Sequence, residues 1–313
     1  MTSETPALAS MQIPASKARS DARYRDWLLL FLLLLCWSSS FIGIRFTIDY
    51  APIALVAFWR NLIAGVLLLP LAFMAGPLPN LRQIVAQAFI GVFAMGGLIL
   101  GCGFAIEQGV PTGIVALMSD MLPLAIVLFS VPILGKIISR GEGVGVALAA
   151  CGVIVASTGA LRVGEAPLWA YGLPIAGMIS IAVVTLLQQR WPWSRLPIYQ
   201  SLAIQSLSSA VVFLAVSLYG GRLMPPAEPK FWYGMTWLVL FATIGAYGLY
   251  YFCLRKLSPS KVSSVLYLSP PATMVWGRLM FGEPLSLAMG IGLGITLAGL
   301  VIVERFRVEL DPA

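Results

Sequence analysis

Residues 101–158 read GCGFAIEQGVPTGIVALMSDMLPLAIVLFSVPILGKIISRGEGVGVALAACGVIVAST, and the same pattern returns 147 residues later over Gly248–Arg305. No gap is needed to register the two stretches. Gly101 falls on Gly248, Val115 on Val262, Pro123 on Pro270 and Ala125 on Ala272. Gly135 falls on Gly282, Ser139 on Ser286, Gly143 on Gly290, Gly145 on Gly292 and Gly152 on Gly299. Most of these matches are Gly or Pro, which act on the backbone rather than on a surface. What recurs is therefore a fold. Two related halves are expected, 27–160 and 169–304, joined by a linker at 161–168, with polar tails at 1–26 and 305–313.

Composition sets the class. The chain has 313 residues, 59% of them hydrophobic and only 11% charged. Its mean hydropathy is +0.90. Soluble domains carry about 25% charged residues. Apolar runs of about 20 residues match the hydrocarbon thickness of a bilayer. The fold class expected is an all-α polytopic membrane protein; barrel strands would alternate apolar and polar residues. With no histidine in the chain, the commonest general base and metal ligand is missing. Cys36, Cys102, Cys151 and Cys253 each sit alone in an apolar run, so their spacing signals neither a metal site nor a disulfide framework. The net charge of +7 does not point to nucleic acid, because the basic residues lie between apolar runs. No cofactor is expected.

Ten spans are read, near 27–48, 53–74, 84–106, 113–134, 142–160, 169–189, 198–219, 231–254, 261–281 and 285–303. If the N-terminus is cytoplasmic, fourteen Lys and Arg fall inside and four outside, with Arg60 and Arg278 within spans. Such a bias puts both termini in the cytoplasm. Five spans per half is an odd number, so the second half enters the membrane from the opposite side. The halves are then inverted repeats about a pseudo-twofold axis in the membrane plane, an architecture of machines that present one site to two sides.

Gly141-xxx-Gly145 and Gly290-xxx-Gly294 suit close helix packing, within one chain or between two copies. They lack the strand and acidic partner of a nucleotide loop. Gln205, Ser208 and Ser209 share one face of the seventh span and suit interhelical hydrogen bonds. Two charges are sharper signals. Arg60 and Asp120 each lie about seven residues, or roughly 10 Å, inside their helices. Ionisable groups at that depth are functional or paired. Pro123 and Pro270 occupy equivalent places and are candidate hinges.

Trp37-Ser38-Ser39-Ser40-Phe41, Phe58-Trp59-Arg60, and Leu268-Ser269-Pro270 followed by Gly282-Glu283, Gly292 and Gly299 resemble motifs of the drug/metabolite transporter superfamily. The similarity is to its EamA-type branch, closest to the YddG-like amino-acid exporters. Lys136 departs from the pattern where the second half has Glu283. The resemblance implies export of small metabolites, often amino acids, through a cavity between spans one, three, four, six, eight and nine. Within those spans the mid-helix polar, aromatic or small residues are Trp37, Ser40, Gly97, Gly101, Asp120, Ser180, Thr185, Tyr247, Tyr250 and Tyr267. The expectation is a multi-pass exporter of amino acids, aromatic and neutral ones among them, or of related small metabolites in the cell inner membrane, working by alternating access without ATP. Its partners would be a small-molecule substrate and the lipid bilayer, with proton coupling through Asp120 and either a monomer or a homodimer. The rival readings are a sugar-phosphate, nucleotide-sugar or drug carrier and, from another class, a membrane-embedded enzyme.

Overall fold

The computed structural model describes residues 15–135, 137–161, 166–257, 262 and 265–306; side chains at 15–23, 161, 247, 251, 254 and 255 lie outside that description. All regular structure among these residues is helical. Helix α1 is Ala15–Ile48 and α2 is Ile53–Met74. Helix α3 runs Leu81–Gly91, passes through a π segment at Val92–Gly96, and continues as Gly97–Glu107. Helix α4 comes in two pieces, Thr112–Ser119 and Leu122–Leu134, and α5 is Arg140–Leu161. A short turn at Leu168–Tyr171 leads into α6, Gly172–Arg190, and α7 is Ile198–Tyr219. Helix α8 runs Pro229–Trp237, a π segment Leu238–Gly245, then Ala246–Lys256. Helix α9 is Ser269–Phe281 and α10 is Leu287–Phe306.

Eight of these helices are long and apolar enough to cross a bilayer by length and composition among the described residues. Helices α8 and α9 take the two remaining places in the ten-span order. The first helix starts at Ala15 rather than near Trp27, because the polar stretch from Ala15 to Arg25 contains no Gly or Pro to stop it. Its apolar stretch is Tyr24–Ile48. At the head of α3, Asn80 Oδ1 accepts from the Gln83 amide at 2.9 Å while Gln83 Oε1 accepts from the Asn80 amide at 3.1 Å. This reciprocal pair satisfies two otherwise orphaned donors.

The 147-residue recurrence is visible element by element. The π segments of α3 and α8 overlap under that shift. So do the break at Asp120-Met121 and the turn at Tyr267-Leu268, and the helices 122–134 and 269–281 that follow. Both of those helices stop at a glycine in the left-handed region, Gly135 at φ 70° and Gly282 at φ 66°. A residue with a Cβ is strained there, which explains why glycine is matched at both positions.

Equivalent helices pair with each other. A Cβ built on Gly145 would meet Val303, one on Gly152 would meet Thr296, and one on Gly159 would meet Met289. Positions rise along α5 as they fall along α10, so the pair is antiparallel. At Gly152 the intruding atoms would include the Thr296 amide nitrogen at 2.5 Å, so the two backbones touch. Small residues permit this approach, and the close packing it allows holds membrane helices together. On α10 the packing face is formed by Gly292, Thr296, Gly299 and Val303; Gly290 and Gly294 have nothing within 4 Å. Within the chain their expected packing place is taken by Gly292 and Gly299, since residues two apart point to different sides of a helix; the alternative of packing against a second copy is not touched by this.

Helices α2 and α7 form the second equivalent pair, with Gly65 against Leu207 and Gln200 Nε2 donating to the Ala72 carbonyl at 3.2 Å. A polar seam then ties α7 to α3. Gln205 Nε2 donates to Gln87 Oε1 at 2.7 Å, Ser208 Oγ to the Ala88 carbonyl at 3.2 Å and Ser209 Oγ to the Gly91 carbonyl at 2.9 Å. In hydrocarbon such bonds have no water to replace them. The halves are therefore inverted, and they interlock along two antiparallel pairs.

Candidate functional site

The break in α4 decides where the site lies. Pro123 has no amide hydrogen to offer the Ser119 carbonyl, and it falls in the first turn of the helix that begins at Leu122. The chain stops being regular at Asp120 and Met121, both at ψ near 0°. Pro270 has the equivalent position in the first turn of Ser269–Phe281. Both prolines thus sit at the start of a second half-helix rather than at a bend inside one.

Three helices bring side chains to this break. Trp37 of α1 and Ser269 of α9 act on the Asp120 carboxyl. Asp120 Oδ2 and Ser269 Oγ are both buried at this contact. Trp37 faces Tyr250 of α8, with ring centroids 5.8 Å apart and a 45° tilt. Neighbouring bonds fix the frame. Thr273 Oγ1 donates to the Ser38 carbonyl at 3.3 Å and Trp237 Nε1 to the Ser39 carbonyl at 3.3 Å, holding α9 and α8 against α1. Ser38, Ser39, Ser119 and Ser269 are buried, whereas Trp37, Ser40, Asp120, Tyr250 and Tyr267 retain some accessible surface. Trp37 and Asp120 therefore meet inside the bundle without being wholly enclosed.

The other sequence-derived candidates fall elsewhere. Gly97 and Gly101 pack tightly on α6: a Cβ at Gly97 would stand 2.4 Å from Ser180 Oγ, and one at Gly101 would stand 2.4 Å from the Leu173 carbonyl oxygen. Ser180 Oγ donates to the Phe93 carbonyl at 2.6 Å, inside the π segment of α3. A π turn leaves carbonyls out of the ordinary ladder, and Ser180 takes one of them. Thr185 Oγ1 bonds its own helix at the Ile181 carbonyl. Tyr267 stands at the turn equivalent to Asp120 and lines a separate cleft of about 380 Å³ with Leu297, Glu304 and Arg305. The Tyr247 side chain lies outside the described residues. Arg60 Nε donates to Thr243 Oγ1 at 3.2 Å, in the π segment of α8.

Glu283 was legible only as a motif residue, but the structure gives it a distinct place. Its Oε2 accepts from the Thr112 amide at 2.9 Å and from Thr112 Oγ1 at 2.8 Å. A carboxylate of the second half so caps the first half-helix of α4. Burial pushes the Glu283 carboxyl up from its usual value, against the pull of the Thr112 donors and of Arg45. Arg45 itself pairs with Asp49 and lies over the Phe281 ring at 5.3 Å. The contact is 171 residues apart in sequence. The one local hint was Pro111-Thr112, a helix start with donors to spare.

Comparison with known proteins places this geometry. The EamA-like transporter family matches over residues 26–158 and again over 168–305. The uncharacterized inner membrane transporter YedA of Escherichia coli K12 is 31% identical over 281 residues, covering 88% of this chain and 89% of its own. A probable terminal-alkyne amino-acid exporter of Streptantibioticus cattleyicolor is 26% identical, covering 88% of this chain and 92% of its own. One solved crystal structure shares the fold with a TM-score of 0.61 at 17% identity, covering 91% of this chain and 99% of that one. Two matched halves and a relative above 30% identity along nearly the whole length lead to one conclusion: this chain belongs to the EamA-like transporter family and is a membrane transporter of that kind.

Proposed function

We propose that the protein exports amino acids or related small metabolites across the cell inner membrane by alternating access. One observation carries the reading: helices broken at equivalent points of two inverted repeats converge on Asp120, Trp37 and Ser269 inside the bundle, where the transport cleft is proposed. Broken helices at the repeat interface are where secondary transporters bind their cargo. The amino-acid exporter of Streptantibioticus supports the substrate class, and YedA supports the inner membrane. A sugar-phosphate carrier would need cations facing its phosphate, whereas this cleft presents a carboxylate. The count of fourteen inner against four outer basic residues supports cytoplasmic termini. Halves at 27–160 and 169–304 would rock about the α5–α10 and α2–α7 contacts. Pro123 and Pro270 would let half-helices swing, and Asp120 would carry the coupled proton when one is used. Gly145, Gly152, Gly292 and Gly299 are consumed within one chain, whereas Gly143, Gly290 and Gly294 meet nothing in it, so the working unit is a monomer or a homodimer.

The test is counterflow in liposomes containing the purified protein, preloaded in turn with amino acids, sugars, sugar phosphates and organic cations. Amino acids should exchange, and sugar phosphates should not. Movement of sugar phosphates alone would replace the amino-acid reading with the carrier one. No movement of any solute under any gradient would remove the transport reading proposed for this cleft.

A further inference from the structure

We propose that the cleft at the Tyr267 turn binds a membrane phospholipid whose headgroup carries both a phosphate and a primary amine, phosphatidylethanolamine, with Arg305 meeting the phosphate and Glu304 the amine.

The cleft measures about 380 Å³ and is walled by Tyr267, Leu268, Leu297, Val301, Glu304 and Arg305. Leu297, Val301 and Arg305 follow one another at intervals of four, so they form one stripe along α10, and Glu304 flanks it a turn beyond Val301. From Leu297 to Arg305 the stripe runs roughly 12 Å, at about 1.5 Å per residue. It leads from an apolar floor to a charged mouth in the last turn of the helix. Leu268 and Val301 stay 47% and 54% exposed, so the cleft opens on the flank of the bundle that faces lipid. The floor also touches the moving parts. Tyr267 and Leu268 form the turn that starts α9, and the next residue, Ser269, hydrogen-bonds the Asp120 carboxyl. A lipid seated in the cleft braces that turn from outside.

Apolar walls alone would retain no particular lipid. Acyl tails are as apolar as Leu, so a tail gains little by leaving the bilayer for this groove. Selection must come from the mouth. Arg305 is exposed there and offers a phosphate its planar fork of donors. Glu304 stands beside it in the same wall. Glu304 is already engaged, but a carboxylate has about four lone-pair sites and can accept from an ammonium as well. An anionic headgroup would satisfy Arg305 and bring its own charge against Glu304. A choline headgroup has the positive charge without an N–H to donate. A headgroup with phosphate and primary amine answers both residues. The charge pair is not inherited from the repeat. Positions 304 and 305 correspond to Ser157 and Thr158 in the first half, whose hydroxyls donate to the Val153 and Val155 carbonyls of their own helix. The first half therefore has no equivalent of this mouth.

The experiment is native mass spectrometry of the full chain, released from nanodiscs of phosphatidylethanolamine, phosphatidylglycerol and phosphatidylcholine in equal parts. Phosphatidylethanolamine should be retained about threefold over each of the others, the scale of exposed ionic contacts. Arg305→Ala should remove the retained lipid, and Glu304→Gln should shift the preference to phosphatidylglycerol. Val301→Trp fills the cleft and should cut retention, whereas Leu287→Trp, at another exposed point of α10, should not. Glycerophosphoethanolamine, the headgroup without tails, should not displace the lipid. Equal retention of the three lipids by the unaltered protein would overturn the proposal, as would equal losses in Val301→Trp and Leu287→Trp. A preference for phosphatidylethanolamine that survives Glu304→Gln would refute the amine contact and the proposal with it. Displacement by glycerophosphoethanolamine would make this a site for a soluble phosphate ester, and a protein dimer in place of the lipid adduct would give the cleft to a second copy; either result overturns the lipid site.

Discussion

Removing the Glu283 carboxyl should loosen the contact between the halves at one end of the bundle. In Glu283→Ala the Thr112 amide and hydroxyl both lose their acceptor, which now lies at 2.9 and 2.8 Å. A helix cap is worth about 0.5–2 kcal/mol, and a second hydrogen bond about 0.5–1.5. Together they bias the closed arrangement by about 1–3 kcal/mol, or roughly 5- to 150-fold in the open-to-closed ratio. The assay is labelling of Ser40→Cys by a membrane-impermeant maleimide, in a background where Cys36, Cys102, Cys151 and Cys253 are replaced. Labelling from the Glu283 end should speed up by at least fivefold in Glu283→Ala. Glu283→Gln keeps the acceptor and sheds the charge that burial penalises, so its labelling should match the wild type or fall below it. Acidity gives the same sign. The carboxyl holds its proton more tightly when buried than when exposed, so closure is favoured as pH falls through its raised range and weakened as pH climbs above it. Arg45, paired with Asp49, and Arg278 are the charged groups that share this corner. Unchanged labelling in Glu283→Ala, or equal opening in Glu283→Gln, would refute the capping argument.

Reporter fusions after Arg82, Arg140, Arg195 and Lys256 should read cytoplasmic, and fusions after Glu107 and Lys230 periplasmic; one reversed loop would break the five-plus-five order. Gly152→Ala forces a Cβ onto the Thr296 amide nitrogen at 2.5 Å and should cost about 1–3 kcal/mol, seen as a lower Tm in detergent. Gly143→Ala, with nothing within 4 Å, should leave Tm unchanged, and an equal fall in both would mean that backbone contact is not the cause. Pro123→Ala restores an amide to the Ser119 carbonyl and should slow counterflow several-fold while changing substrate affinity less than twofold. Equal losses in both would make the proline architectural.

The architecture was legible because it rests on backbone chemistry. Gly135, Gly282, Pro123 and Pro270 recur at one spacing, and each marks a real cap or break in the helices. Asp120 stood out because depth in an apolar run is readable from counting alone. The π segments of α3 and α8 were not readable, since the extra residue per turn is settled by what packs outside it, as Ser180 does at Phe93. Gly97 and Gly101 show the limit of residue type. A glycine suits an open cleft and a tight helix contact equally, and only the position of α6 distinguishes them. Glu283 and Thr112 meet across the repeat boundary, where no local pattern in either half predicts the other.

Because α5 faces α10 and α2 faces α7, the interior of this single chain has the reciprocity of a symmetric dimer, with each half the other's partner. A covalent dimer of this kind is released from a constraint that binds true homodimers: a change in one half need not appear in the other. Lys136, the repeat equivalent of Glu283 in the sequence, is such a change, and it leaves the carboxyl without a counterpart in the first half. A machine with identical gates would have no preferred direction of response to acidity or salt. Any response to acidity that runs through the Glu283 carboxyl therefore belongs to one end of the bundle alone, while the glycine seam that holds the halves together stays matched.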